Sequence, residues 1–263
     1  MKLAVSNIAW TAEQDAEVYQ LMRIMGFTGL EIAPTRIFTE NPYEDLDAAR
    51  MWKKGLFEEY GFQVPSLQSI WYGRTERLFG TENERQILIG YTKQAVDFAE
   101  EIGCGNLVFG CPRNRQKTEG ADENIAVRFF REIGDYAALH NVVVAVEANP
   151  PIYNTNYINT TASAIELIET VNSSGILLNL DIGTMIENYE DPAILSGKEH
   201  LIHHVHISEP ELKPILKRDL HKELYSLLTG IGYQGYVSIE MKKTGIDIPL
   251  LAEKMKYVCK LFG

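Results

Sequence analysis

The sequence predicts a single (β/α)8 barrel, an α/β fold of the TIM-barrel type, over residues 1–263. Short runs rich in aliphatic and β-branched residues alternate with longer amphipathic segments. The alternation repeats eight times, at about 33 residues per unit, which is the count and length such a barrel needs. A third observation is negative: no G-x-G-x-x-G follows the first run, as a dinucleotide-binding sheet would want, although an open doubly wound sheet stays the alternative fold. No Ser/Gly-rich linker or break in composition divides the chain. Its 263 residues with 45% hydrophobic content are therefore expected to bury one large core as one domain.

The elements follow in order. KLAVSN from Lys2 is the first strand-like run, and the segment TAEQDAEVYQLMRIMG after it begins with a capping-box pattern, Thr11 then Gln14, and stops at Gly26. TGLEIA from Thr28 is the second run, followed by the helical DLDAARMWKKGLFEEYG. QVPSLQS from Gln63 is the third and leads to ENERQILIGYTKQAVDFAEEIG; NLVFG from Asn106 is the fourth and leads to ADENIAVRFFREIGDYAALH. VVVAVEA from Val142, ILLNLDI from Ile176, IHHVHIS from Ile202 and YVSIEM from Tyr236 complete the eight.

A formal charge of −11 and a pI near 5.1 oppose diffusion toward polyanions, so no nucleic-acid partner is expected. Cys104, Cys111 and Cys259 are an odd number with no zinc-knuckle spacing, which suits ordinary thiols in a reducing compartment. The apolar stretch at the amino terminus is too short for a signal peptide, and no run reaches the roughly 18 apolar residues of a membrane span. A soluble, cytoplasmic protein with no membrane partner is the expectation.

Side-chain parity carries the functional signal. In a parallel barrel both strand faces are buried, with large aliphatics toward the helices and the inward residue at each carboxyl end toward the site. Glu147 lies between Val146 and Ala148, Asp181 between Leu180 and Ile182, His206 between Val205 and Ile207, and Glu240 between Ile239 and Met241. With the aliphatics outward, these four polar residues converge at the mouth, His204 lies one layer below His206, and His203 faces the helices. Taken singly, each is as readily a satisfied ion pair or a hydrogen-bonded core polar group. Together, three carboxylates and an imidazole would repel one another unless a cation joined them. One nitrogen and three oxygen donors without thiolate suit one divalent ion, with manganese placed first and magnesium, cobalt or zinc as alternatives.

The motifs VAVEANP, LNLDIGTM, HVHISE and VSIEMK, in that order, resemble the xylose isomerase-like barrels, in particular the sugar phosphate isomerase/epimerase family that includes ketose 3-epimerases, hydroxypyruvate isomerase and inosose dehydratase. The resemblance covers essentially the whole chain. It implies metal ligands at Glu147, Asp181, His206 and Glu240, with Glu147 and Glu240 also acting as the catalytic acid/base pair. Many ketose epimerases of the family carry a His three residues after the Asp, where this chain has Thr184, a hydroxyl that can hydrogen-bond substrate but not carry charge. The further histidines that the related DNA-repair endonucleases use are missing from LQS, VFGCP and position 184.

The expected chemistry is proton transfer through a metal-stabilised enediolate on a sugar or sugar-like polyhydroxy carbonyl compound. Return of the proton to the opposite face is epimerisation, and to the neighbouring carbon isomerisation. An inosose or keto-sugar dehydratase or lyase on the same site, or a metal- and sugar-binding subunit without turnover, are the alternatives. Substrate contacts are expected from Glu31, which shares the ligands' parity, from Trp71, from Arg113 or Arg115 as an anion clamp, and from Thr184, Glu209 and Lys242. Each has a bland reading: a buried ion pair for Glu31, loop packing for Trp71 and Tyr72, a solvated loop for the arginines, and surface exposure for His221. Phe38, Tyr43, Trp71 and Phe79 lie in the long segments after the second and third runs and are expected to cover a neighbour's mouth in a homo-oligomer.

Overall fold

The computed structural model describes residues 1–243 and 247–263. Seven parallel strands form one curled sheet: β1 (Lys2–Ser6), β2 (Gly29–Glu31), β3 (Asn106–Phe109), β4 (Val143–Glu147), β5 (Ile176–Asp181), β6 (Ile202–Ile207) and β7 (Tyr236–Ile239). Their order is β2-β1-β7-β6-β5-β4-β3. Eight helices alternate with them: α1 (Asp15–Ile24), α2 (Leu46–Tyr60), α3 (Glu82–Glu101), α4 (Asn124–Leu139), α5 (Thr161–Val171), α6 (Ile182–Glu187), α7 (Asp219–Gly230) and α8 (Ile248–Phe262). This is the expected (β/α)8 architecture of a xylose isomerase-like TIM barrel, with one stave built differently.

That stave is the third expected strand. Residues 63–68 run between the two outermost strands and join them through isolated bridges, Gly29 to Gln63, Ile32 to Leu67 and Leu67 to Leu107. Leu30 N donates to Gln63 O at 2.9 Å, and Val108 N donates to Leu67 O at 2.8 Å. Pro65 lies in the middle of the segment and has no N–H to give, which interrupts the ladder while leaving the extended path intact.

Local chemistry sets the helix ends. Thr11 and Gln14 form the expected capping box ahead of α1, and Thr81 with Glu84 forms a second one at α3, where Thr81 N donates to Glu84 Oε2 at 2.7 Å. Gly61 ends α2 at φ 78°, the left-handed region that glycine enters without steric cost. Among the described residues no helix is long and apolar enough to cross a membrane.

The aromatics expected at a pairing surface are used inside this chain. Tyr43 packs against Tyr91 and Phe98, Trp71 against Phe109 and Phe129, Phe79 against Tyr157, and Phe38 against Trp52 and Phe98. Tyr43, Trp71 and Phe79 are buried. They hold the long segments after β2 and the 63–68 stave onto the barrel, so these three are not free to cover a neighbour's mouth, while Phe38 is half-buried.

Candidate metal centre

Parallel register assembles the site. Asp181 on β5 stands opposite His206 on β6, His206 opposite Ser238 on β7, and Glu147 on β4 opposite Asn179 on β5. The side chains of Glu147, Asp181, His206 and Glu240 each offer one ligand atom, and these atoms all lie within 4.8 Å of one another. His206 Nδ1 is 3.0 Å from Glu147 Oε1 and 3.4 Å from Glu240 Oε2. The structure thus brings together the four residues that side-chain parity singled out.

Two of the four, Glu147 and Asp181, are held by neighbours outside the cluster. Asn179, two residues before Asp181 on the same strand face, donates to Glu147 Oε1 at 2.7 Å, and Asn149 donates to Glu147 Oε2 at 3.0 Å. Asp181 is the N-cap of α6: Thr184 N donates to its Oδ2 at 2.8 Å, and Ser208 Oγ donates to its Oδ1. Two glycines make room. A Cβ at Gly110 would stand 2.9 Å from Glu147 Oε2, and one at Gly183 would stand 2.6 Å from Ser208 Oγ.

The electrostatics describe buried carboxyls that resist ionising side by side. Burial, then the charge of Glu147, lifts Asp181 to about 6, and burial, then the charges of Glu147 and Asp181, lifts Glu240 to about 7 against the pull of His206. Burial alone would lower His206, but the charges of Glu31 and Glu240 and the hydrogen bonds to Glu147 and Glu240 outweigh it and hold the imidazole well above its ordinary value. A donor set of three carboxylates and one imidazole, with two of the carboxyls reluctant to ionise, fits a divalent ion of the hard to borderline kind. The three cysteines are free, and none belongs to the set.

A cavity of about 170 Å³ opens onto these ligands and is lined by Gln68, Cys111, Glu147, Asn149, Tyr153 and Glu240 among others. Several residues expected at the substrate lie elsewhere. Trp71 is buried, its indole N–H donating to Thr92 Oγ1 at 2.8 Å, so it walls the core and not the mouth. Arg113 is exposed, while Arg115 is fully buried and donates to Glu147 O, Asn149 Oδ1 and Ile158 O at 2.9, 2.9 and 3.2 Å. It braces the strand end that carries Glu147 and does not face the cavity as an anion clamp.

Thr184 Oγ1 lies 2.7 Å from Ala148 O and 2.9 Å from Asp181 Oδ2, tying Asp181 to the β4 loop. Glu209 is buried in an ion pair with Arg218 at 2.5 Å. Lys242 lines a neighbouring cavity with Trp10, Arg36 and Tyr72. Glu31 is 0% exposed beneath His206, where its bland reading as a buried ion pair is what the structure has. His221 is buried, its Nδ1 2.9 Å from Tyr257 Oη, where surface exposure was expected.

His203 departs from its expected direction as well. The pairing of β5 with β6 shifts register between Leu178 and Asn179, which leaves His203 as an extra residue, and its Nδ1 lies 2.8 Å from Asn106 Oδ1 on β3. A bulge of this kind re-aims a side chain, here away from the helices. Sequence reasoning missed Asn149, Asn179, Ser208 and Tyr153. Only Asn179 left a signal, its parity with Asp181.

A (β/α)8 barrel with a carboxylate-rich, imidazole-containing centre at the carboxyl ends of its strands defines the class. The chain belongs to the xylose isomerase-like TIM barrel family, whose model matches residues 19–261. Among solved structures it is similar to D-psicose 3-epimerase from Clostridium cellulolyticum H10, at 15% identity over 100% of this chain and 98% of that one with a TM-score of 0.82. It is also similar to 3-keto-D-glucoside 4-epimerase from E. coli, at 21% identity over 99% of both chains with a TM-score of 0.77. An AP endonuclease, family 2, from Brucella melitensis shares the fold at 19% identity over 99% of both chains with a TM-score of 0.75. No curated protein matches the sequence.

Proposed function

We propose that this chain is a divalent-metal-dependent sugar isomerase or epimerase, acting on a small polyhydroxy carbonyl compound by proton transfer next to the carbonyl. The observation that carries the reading is the pair Glu147 and Glu240 within one ligand set, both lining the same small cavity. Glu147, Asp181, His206 and Glu240 would hold a divalent ion, which would supply Lewis acidity to polarise a carbonyl oxygen and acidify the adjacent C–H. Manganese is the ion to load first.

The chain's own residues do the rest. Glu147, fixed by the Asn149 and Asn179 amides, removes the proton, and Glu240 returns one from the other side. Asn149, Gln68 and Tyr153 offer hydrogen-bonding groups to substrate hydroxyls around the cavity. The acidic surface and the free thiols support a cytoplasmic enzyme of small molecules with no nucleic-acid partner. The activities of two structural neighbours, epimerisation of a ketose and of a keto-glucoside, support the same choice of substrate class.

The test is solvent exchange. Turnover of a panel of ketoses, aldoses, inososes and keto-glycosides in deuterium oxide should place deuterium at the carbon next to the carbonyl. Glu147→Gln or Glu240→Gln should cut that exchange by about 100-fold, the usual loss for a general base. Product formed without solvent deuterium by an active Glu240→Gln variant refutes the scheme, once shielded return of the same proton is excluded. Release of water marks a dehydratase, and ligand-induced stabilisation with no conversion marks a binding subunit.

A further inference from the structure

We infer that Glu31 is a positioning residue for the metal centre: it holds the His206 imidazole by Nε2 so that Nδ1 is the atom presented to the ion. The inference rests on the metal centre proposed above and extends it to a residue that cannot reach ion or substrate. Glu31 Oε2 lies 2.9 Å from His206 Nε2 and 3.0 Å from His204 Nε2, while the other ring nitrogen of His206 faces Glu147 and Glu240 at 3.0 and 3.4 Å. Glu31 and His206 are 0% exposed and His204 is 2% exposed, so no water competes for these contacts.

A buried carboxylate is tolerated only where donors answer it. The His206 Nε2–H meets one oxygen of Glu31, His204 Nε2 lies 3.0 Å from that oxygen and 3.0 Å from Ser238 Oγ, and Gln68, itself 2.5 Å from Ser6 Oγ, reaches the other oxygen at 3.5 Å. The network spans β1, β2, the 63–68 stave and β6. It therefore fixes the carboxylate from several sides before it fixes the imidazole. An acceptor at Nε2 settles the tautomer, leaves the Nδ1 lone pair free for a cation, and prevents the ring from flipping.

Glu31, His204 and His206 also lie close enough together to form a ligand set of their own, with atoms within 4.8 Å. Two features argue against an ion there. The three already have partners, His206 in Glu31 and His204 in Ser238 Oγ and Glu31, and their burial leaves no route for a hydrated cation.

The experiment titrates Mn2+ into wild type, Glu31→Gln and His203→Gln, reading free ion by electron paramagnetic resonance and folding by circular dichroism. His203→Gln perturbs another interior position of the same strand without touching Glu31. Glu31→Gln should bind Mn2+ about 10- to 100-fold more weakly, the usual loss for an outer-shell partner, while His203→Gln stays within a few-fold of wild type. In the Zn2+-loaded wild type, 15N-detected imidazole spectra should show His206 coordinated through Nδ1 with a slowly exchanging Nε2–H.

A folded Glu31→Gln variant with wild-type affinity overturns the inference and leaves the metal centre standing. Coordination through Nε2, or two ions per chain, also overturns it; the spectrum decides even where the Gln variant fails to fold. Wild-type protein that binds no divalent ion overturns the metal centre and this inference together.

Discussion

Replacing Glu240 by Gln should stabilise the metal-free protein at pH 8 and leave it nearly unchanged at pH 4. The magnitude follows from the carboxyl's burial. Glu240 is raised from an ordinary 4.5 to about 7, so the folded metal-free chain keeps a proton that the unfolded chain releases as pH rises between those values. The unfolded state then binds fewer protons than the folded one, and stability falls with rising pH across that window. A folded-state value of about 7 against an ordinary 4.5 corresponds to about 3 kcal/mol, present below pH 4.5 and lost once pH passes 7. Gln imitates the protonated carboxyl and never incurs the loss. For a domain of this size about 3 kcal/mol is a Tm difference of roughly 6–12 °C.

The assay is thermal unfolding of wild type and Glu240→Gln in a chelator at both pH values, repeated with saturating Mn2+. With the ion present the order should reverse, because the wild-type ligand set gains stability by mass action and the variant has lost a charged ligand. A chelated Glu240→Gln protein that melts at or below wild type at pH 8 would falsify the account of an anion cluster lacking its cation.

Three further outcomes follow. His206→Ala removes the set's only nitrogen donor and should abolish stoichiometric metal uptake in equilibrium dialysis; equal metal content in wild type and a Glu147→Ala/Asp181→Ala double variant would refute a shared site. Thr184→Val keeps the shape but loses the hydroxyl between Ala148 O and Asp181 Oδ2, a loss of about 1 kcal/mol that should weaken metal binding about 5-fold; an unchanged Kd with a raised KM would instead return Thr184 to substrate. Arg115→Met strips the donor from Glu147 O, Asn149 Oδ1 and Ile158 O, and should destabilise the fold by about 3 kcal/mol or more. Urea unfolding measures that cost, and a loss of only a few tenths of a kcal/mol would show the acceptors finding other partners.

What the sequence made legible was whatever depends on the two-residue period of a strand. Glu147, Asp181, His206 and Glu240 could be aligned because β4, β5, β6 and β7 each carry a polar residue among aliphatics at the same end, and parallel register does the remaining work. Parity breaks where the ladder does. His203 is re-aimed by a bulge that the run of residue types does not announce, while the 63–68 segment loses its ladder at Pro65, a signal the run QVPSLQS does carry. Contacts across the barrel were opaque for a different reason. Glu31 and His206 lie 175 positions apart, and parity told that Glu31 points inward without telling what waits there.

The same limit explains the arginines. Arg113 and Arg115 stand two residues apart in one loop, and only the acceptors offered by Asn149 and Ile158 decide which guanidinium is buried. Burial at that position is itself informative about the centre. A fully desolvated guanidinium on the Glu147 carbonyl and a fully desolvated carboxylate on His206 are both costly unless they hold something still. Each braces a different ligand from behind, one by its backbone and one by its ring. The four-residue cluster is therefore braced on the side away from solvent, and its open side is the cavity.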